Sequence, residues 1–255
     1  LSFGIAVNLC AYDFEVGGLC YNIIPWGGPN AVEITSYTST PWNGSNYDNL
    51  TSIAIPSTVD YDGSNYTVTH IGDYALASCP RLTSVTIPSS VTSIGYGAFY
   101  NCSELRAVHI GKGVITIGES AFHNCSHLTK IHIPASVASI GTSAFEGCSA
   151  LDTVLVENGN AIYDSRENCN AIIETATHTL ILGCRSTIIP KNIINIGYAA
   201  FSGCSSINAI ILPASIRAIG NYAFWQRTAL SSLTCQASTV PTTGNSVFYN
   251  IPLSE

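Results

Sequence analysis

Apolar residues return along this chain at a fixed interval. Between Val91 and Ile110 they fall at Val91, Ile94, Ala98, Phe99, Cys102, Leu105, Val108 and Ile110, separated by Ser, Thr, Gly, Tyr and Asn. The same order restarts 23 residues later: Ile-Gly pairs end at Gly72, Gly95, Gly118 and Gly141, then at Gly197 and Gly220. Within each unit Val85/Ile87, Val108/Ile110, Ile131/Ile133 and Val154/Val156 alternate with polar residues, the two-residue period of a short strand with one face inward. Pro88 and Pro134 close that strand, where a missing N–H is tolerated. The Gly after Ile permits a tight bend, and Gly-x-x-Ala-Phe predicts one helical or 3-10 turn beyond it. A single unit cannot bury its apolar side alone, so the pattern predicts coils stacked on their neighbours.

Self-similarity at this period with an L-x-x-V-x-I core is the signature of a leucine-rich-repeat solenoid. The Phe slot holds Leu76, Phe99, Phe122 and Phe145, and the Leu slot Leu82, Leu105, Leu128 and Leu151. Residues 1–11 look like the tail of a secretory signal or a leader. Residues 12–49 break the pattern and predict an N-terminal cap: Phe14–Val16 and Leu19–Ile23 form a hairpin about Gly17-Gly18, and Ala31–Thr35 a further strand. The solenoid proper spans 50–235. It carries one hairpin at about 60–67, projecting around Asp62-Gly63, and a second at 157–183, where the period slips between Gly141 and Gly197. A strand rung is expected to survive at Thr187–Ile189. Residues 236–255 form a C-terminal cap or an unfinished repeat.

Composition narrows the function. Charged residues are only 10% and the net charge is −7 with nine Lys+Arg, which excludes the basic stripe a nucleic-acid partner needs. No apolar run reaches the length of a membrane span. Five of the ten cysteines, Cys79, Cys102, Cys125, Cys148 and Cys204, share one repeat slot and read as a buried column. Cys169 and Cys184 bracket part of the second insertion. Buried thiols are the plainer reading there, with a disulfide the alternative.

The outward strand position, one per rung, reads Ala54, Thr86, His109, His132, Leu155, Ile188, Ile211 and Thr234. Rungs stack about 4.7–4.9 Å apart, so neighbours in this row are expected to touch. The candidate binding surface is therefore Thr86, His109, His132, Leu155, Ile188 and Ile211, the last three forming an apolar patch unless the 157–183 hairpin folds over it. Two imidazoles without a carboxylate make a poor metal site, as do His123 and His127, so no metal or cofactor is expected. No nucleophile elbow, phosphate loop or zinc-protease motif occurs, and no catalytic residue stands out. Sequons lie at Asn43, Asn49, Asn65, Asn101 and Asn124; the last two belong to the repeated Asn-Cys-Ser turn and read as packing.

The repeat Ile-Gly-x-x-Ala-Phe-x-x-Cys-x-x-Leu-x-x-Val-x-Ile-Pro resembles the BspA-like leucine-rich repeat of bacterial surface proteins. Tyr12–Val16 with Leu19–Ile23 resembles their opening, and Tyr163–Thr175 a hairpin insertion found in them. The resemblance implies export to the cell surface or beyond, no catalytic residues, and in some members adhesion to host matrix proteins or other bacteria. The chain is thus expected to be a monomeric, non-enzymatic binder of an extracellular or host protein. A glycan-binding module of a nutrient-capture system, using Trp26, Trp42, Tyr61 and Tyr66, and a plain spacer are the alternatives.

Overall fold

Each 23-residue unit makes one turn of a coil, and the coil has more corners than its strand pattern alone suggests. The computed structural model describes residues 12–36, 47–204, 207–225 and 229–251. The leader expectation for 1–11, with Cys10, Trp42 and Asn43, lies outside them.

Near the N-terminus, β1 (Phe14–Val16) and β2 (Leu19–Ile23) pair antiparallel, and β3 (Ala31–Thr35) pairs antiparallel with β2. Phe14, Tyr21, Val32 and Ile34 are buried in the same core that continues through the coils. β4 (Ser52–Ala54) follows, then the hairpin of β5 (Thr58–Tyr61) and β6 (Ser64–Ile71) around Asp62-Gly63, both at positive φ. This hairpin does not project. Its longer strand pairs parallel with β3, and Val59 and Val68 are buried.

The coils then supply strands to two faces in alternation: β7 (Ser84–Thr86), β8 (Ser93–Ile94), β9 (Ala107–His109), β10 (Thr116–Ile117), β11 (Lys130–Ile133), β12 (Ser139–Ile140) and β13 (Thr153–Val156). The first face is the parallel sheet β4, β7, β9, β11, β13; the second continues from β6 through β8, β10 and β12. The two-residue strands of the second face are not visible in the sequence pattern, because Ser-Ile or Thr-Ile is too short to show a period. Ser and Thr replace charges in holding the coils together: Thr83, Thr92, Ser126 and Ser149 hydroxyls each donate to a carbonyl of the preceding coil at 2.8–3.2 Å.

The Ala-Phe turn is not helical. Two positions in each of four successive coils take left-handed φ: Tyr74, Gly97, Ser120 and Ser143 at 54–56°, and Ser78, Asn101, Asn124 and Gly147 at 53–77°. Two such residues within one short turn preclude a right-handed helical path. They also explain the Asn-Cys-Ser sequence, since Asn tolerates this backbone. The turn aligns the rings: Phe99–Phe122 and Phe122–Phe145 centroids are 5.1 and 5.3 Å apart, at interplanar angles of 4° and 1°. All three are buried. The Gly of each Ile-Gly pair serves close approach rather than unusual φ. A β-carbon on Gly118 would come within 2.6 Å of the Gly95 backbone.

At the slip in period, β14 (Tyr163–Asp164), β15 (Ala171–Glu174) and β16 (Thr179–Gly183) form an antiparallel ribbon. It does not fold over the first face. It opens a separate sheet, in which β16 pairs parallel with β17 (Asn195–Ile196), and Ile172, Ile173 and Leu180 are fully buried. On the first face the segment Ser165–Asn170 fills the gap. Ser165 Oγ accepts from the Val156 amide at 3.0 Å, and Cys169 O accepts from the Ile188 amide at 3.1 Å. Residues 187–189 occupy a rung position but form no strand, correcting that expectation. The array resumes with β18 (Ala209–Leu212), β19 (Ala218–Ile219), β20 (Ser232–Cys235) and β21 (Thr242–Thr243). β18 pairs with β20, and β17, β19 and β21 continue in parallel from β16 in a six-stranded sheet of their own. Phe201, Phe224 and Phe248 make a second stack, at 5.3 and 5.7 Å. The apolar interior accordingly falls into two clusters that meet at this seam.

The strand face as candidate binding surface

β-sheet pairing places the outward row in register over five strands. Ala54 lies beside Thr86, Thr86 beside His109, and His132 beside Leu155. Lys130 beside Ala107 sets His109 and His132 in the same register. Ala54, Thr86, His109 and His132 are exposed and Leu155 is partly buried, because the side chains before and after them in each strand point into the coil.

The expected patch of Leu155, Ile188 and Ile211 does not form as one surface. β13 ends the first sheet, and Ser165–Asn170 intervenes before Ile188. Ile188 and Ile211 remain together beyond the seam, 76% and 58% exposed, on a shallow groove that runs over Phe201. Leu155 instead closes one end of a depression of about 480 Å³ shared with Arg106, His109, Lys130 and His132. The six candidate residues thus divide into Thr86, His109, His132 and Leu155 on one side and Ile188 and Ile211 on the other.

This depression collects cations on an acidic chain. Arg106 pairs with Glu104 at 3.0 Å, and His127 Nδ1 is 3.8 Å from the same carboxylate. Lys112 pairs with Glu157 at 3.0 Å. The Glu157 carboxyl is held below the usual range by the Ala135 amide first, then by Lys112 and nearby His132. Lys130 has no acidic partner within 4 Å among the described residues. Sequence reasoning missed Glu157; its only signal was a lone acid directly after a strand.

Other candidates find structural duties. Tyr61 stacks on Phe14 at 4.2 Å and Tyr66 tilts against it at 5.4 Å, so both fasten the N-terminal strands. Trp26 is 68% exposed, its ring perpendicular to that of His70 at 4.9 Å. His123 stacks on Tyr100 at 4.9 Å rather than joining His127. No group of three His, Cys, Asp or Glu could hold a metal among the described residues. Cys169 and Cys184 do not pair; both are buried thiols. In the repeated slot the Cys102, Cys125 and Cys148 thiols each donate to a carbonyl of the preceding coil, as Cys125 does to Phe99 O at 3.3 Å.

Stacked strand-turn coils with in-phase Leu, Phe and Cys define a leucine-rich-repeat β-solenoid. The chain belongs to the BspA type leucine-rich-repeat family, whose model matches residues 69–179 and 172–255 in six copies. Solved structures agree on the fold. A leucine-rich repeat protein from Bacteroides ovatus superimposes with a TM-score of 0.60 at 23% identity, covering 95% of this chain and 58% of its own. The T. pallidum leucine-rich repeat protein gives 0.55 at 24% identity, covering 94% and 91%. The pneumococcal vaccine antigen PcpA gives 0.50 at 18%, covering 87% and 69%. The chain spans little more than half of the Bacteroides ovatus protein. No curated protein matches it. No helix among the described residues is long and apolar enough to cross a membrane.

Proposed function

We propose that the first face is the working surface of an exported or cell-surface protein that binds a partner protein without catalysing a reaction. The observation that carries this reading is the in-register row from Ala54 to Leu155, flanked by Arg106 and Lys130. A parallel sheet locked into a solenoid is preformed, so docking on it orders little backbone. Lys130 and the two exposed imidazoles favour a partner with acidic or polar side chains at the point of contact. Family membership supports the extracellular setting.

Surface plasmon resonance against a panel of extracellular matrix proteins, run beside a glycan array, tests the proposal. Binding to a protein is expected, weakened about tenfold or more by Lys130→Glu with His132→Asp and unchanged by Ile188→Asp, which lies beyond the seam. Binding to glycans alone, or undiminished protein binding by the double variant, overturns it.

A further inference from the structure

The seam opens the turn column as well as the sheets. In each earlier coil the turn amides donate to the next coil: Gly97 to Glu119 O at 2.9 Å, Phe99 to Ala121 O at 2.7 Å, Ser120 to Thr142 O at 3.0 Å and Phe122 to Ala144 O at 2.7 Å. Ser143 and Phe145 are next in this column. Their amides make no hydrogen bond among the described residues, because the end of β16 wedges between the coils and the Gly183 amide takes the Ala200 carbonyl at 2.8 Å. An amide without an acceptor in a residue as buried as Phe145 is rare in native proteins.

A cavity of about 180 Å³ lies at this opening, bounded by the turn from Ser143 to Glu146, the ribbon residues Ile172, Glu174 and Leu182, and Tyr198. It has room for about six waters. Two carboxylates line it. Glu146 accepts from Ser143 Oγ at 2.6 Å and Ser202 Oγ at 3.1 Å, and Glu174 accepts from Thr177 Oγ1. Neither has a cation within 4 Å among the described residues. Their charge reaches the cavity: the Tyr198 hydroxyl is held above its usual range by burial and then by Glu146, and that of Tyr163 by burial with Glu174 contributing. The lining therefore combines amide donors with no acceptor, carboxylates with no counter-ion, and an apolar wall.

The complement of that set is an ammonium beside a carbonyl oxygen on a short aliphatic residue. We propose that the seam cavity binds an aliphatic α-amino group together with its adjacent carbonyl, supplied by the N-terminal residue of a peptide or by a free amino acid. Glu146 and Glu174 take the ammonium, the Ser143 and Phe145 amides take the carbonyl oxygen, and Ile172 and Leu182 receive the side chain. None of the first-face residues lines this cavity, so the strand-face reading and this one stand or fall separately.

Titration calorimetry near pH ~6.5, below the α-amino pKa, provides the test, with L-leucinamide, L-leucine and N-acetyl-L-leucinamide as probes. Saturable binding of leucinamide or leucine is expected, with the acetylated probe about tenfold weaker or worse. Tighter leucinamide identifies a peptide N-terminus as the source, tighter leucine a free amino acid. Glu146→Gln with Glu174→Gln is expected to cost a similar factor. Should that variant fail to fold, the acetylated probe still decides on the native protein. No binding of either amine, or equal binding of the acetylated probe, overturns the proposal.

Discussion

Gly183 lies against the ring of Phe201 so closely that a β-carbon there would sit 2.1 Å from Phe201 Cε1. The contact is what lets an inserted ribbon end on the face of a ring whose counterparts elsewhere stack on another Phe. Phe145 and Phe201 end their respective stacks on either side of it.

Because Phe201 is also stacked on Phe224 at 5.3 Å, it has nowhere to retreat. Gly183→Ala is therefore expected to destabilise the fold by about 1–3 kcal/mol, the usual cost of overpacking. The test is a urea melt run beside Gly159→Ala, whose added methyl meets open space. The Gly159 φ of 93° makes that second change report backbone strain alone. Equal midpoints for Gly183→Ala and the parent would show that the ribbon can shift away from the ring.

The thiol column should be chemically silent. The Cys102 thiol is pushed well up by its hydrogen bond with Cys79 and then by burial, that of Cys125 to about 12 and that of Cys169 to about 11 by burial. Thiolate is the reactive form, so at about pH 8 these groups stay protonated. With Cys10→Ser in place, a disulfide reagent is expected to titrate a single thiol in the native protein, exposed Cys235, and nine after unfolding. Several fast-reacting thiols in the native state would contradict the packing.

Acid should weaken the fold through its half-buried imidazoles. Burial holds the His123 and His70 pKa values below the ordinary range, with Glu146 opposing at His123. The unfolded chain then binds these protons first, so their stability contribution is intact above about pH 6.5 and is lost as pH falls below it toward the folded-state pKa. His123→Phe keeps a ring on Tyr100 and removes one titrating group. Urea midpoints measured between about pH 7 and 5 are expected to fall less steeply in this variant than in the parent. An unchanged slope would show that His123 does not contribute.

The residues that determined most by themselves are those that repeat. Val85, Val108, Ile131 and Val154 recur at a 23-residue interval. In-phase side chains of one type can share a core only by stacking, so the solenoid and its Phe and Cys columns were legible in one dimension. The hairpins about Gly17-Gly18 and Asp62-Gly63 were legible too, since their turns demand the φ values those residues tolerate. What only the tertiary structure decided is where out-of-phase segments go. The sequence of the 157–183 insertion shows a hairpin but not which face accepts it. That depends on free strand edges, on the hydrogen bonds Ser165 and Cys169 make across the gap, and on the fit of Gly183 to Phe201. The same contacts separated Leu155 from Ile188 and opened the cavity beside Glu146, because a local pattern records which side of a strand is apolar and carries no term for the partner it will meet.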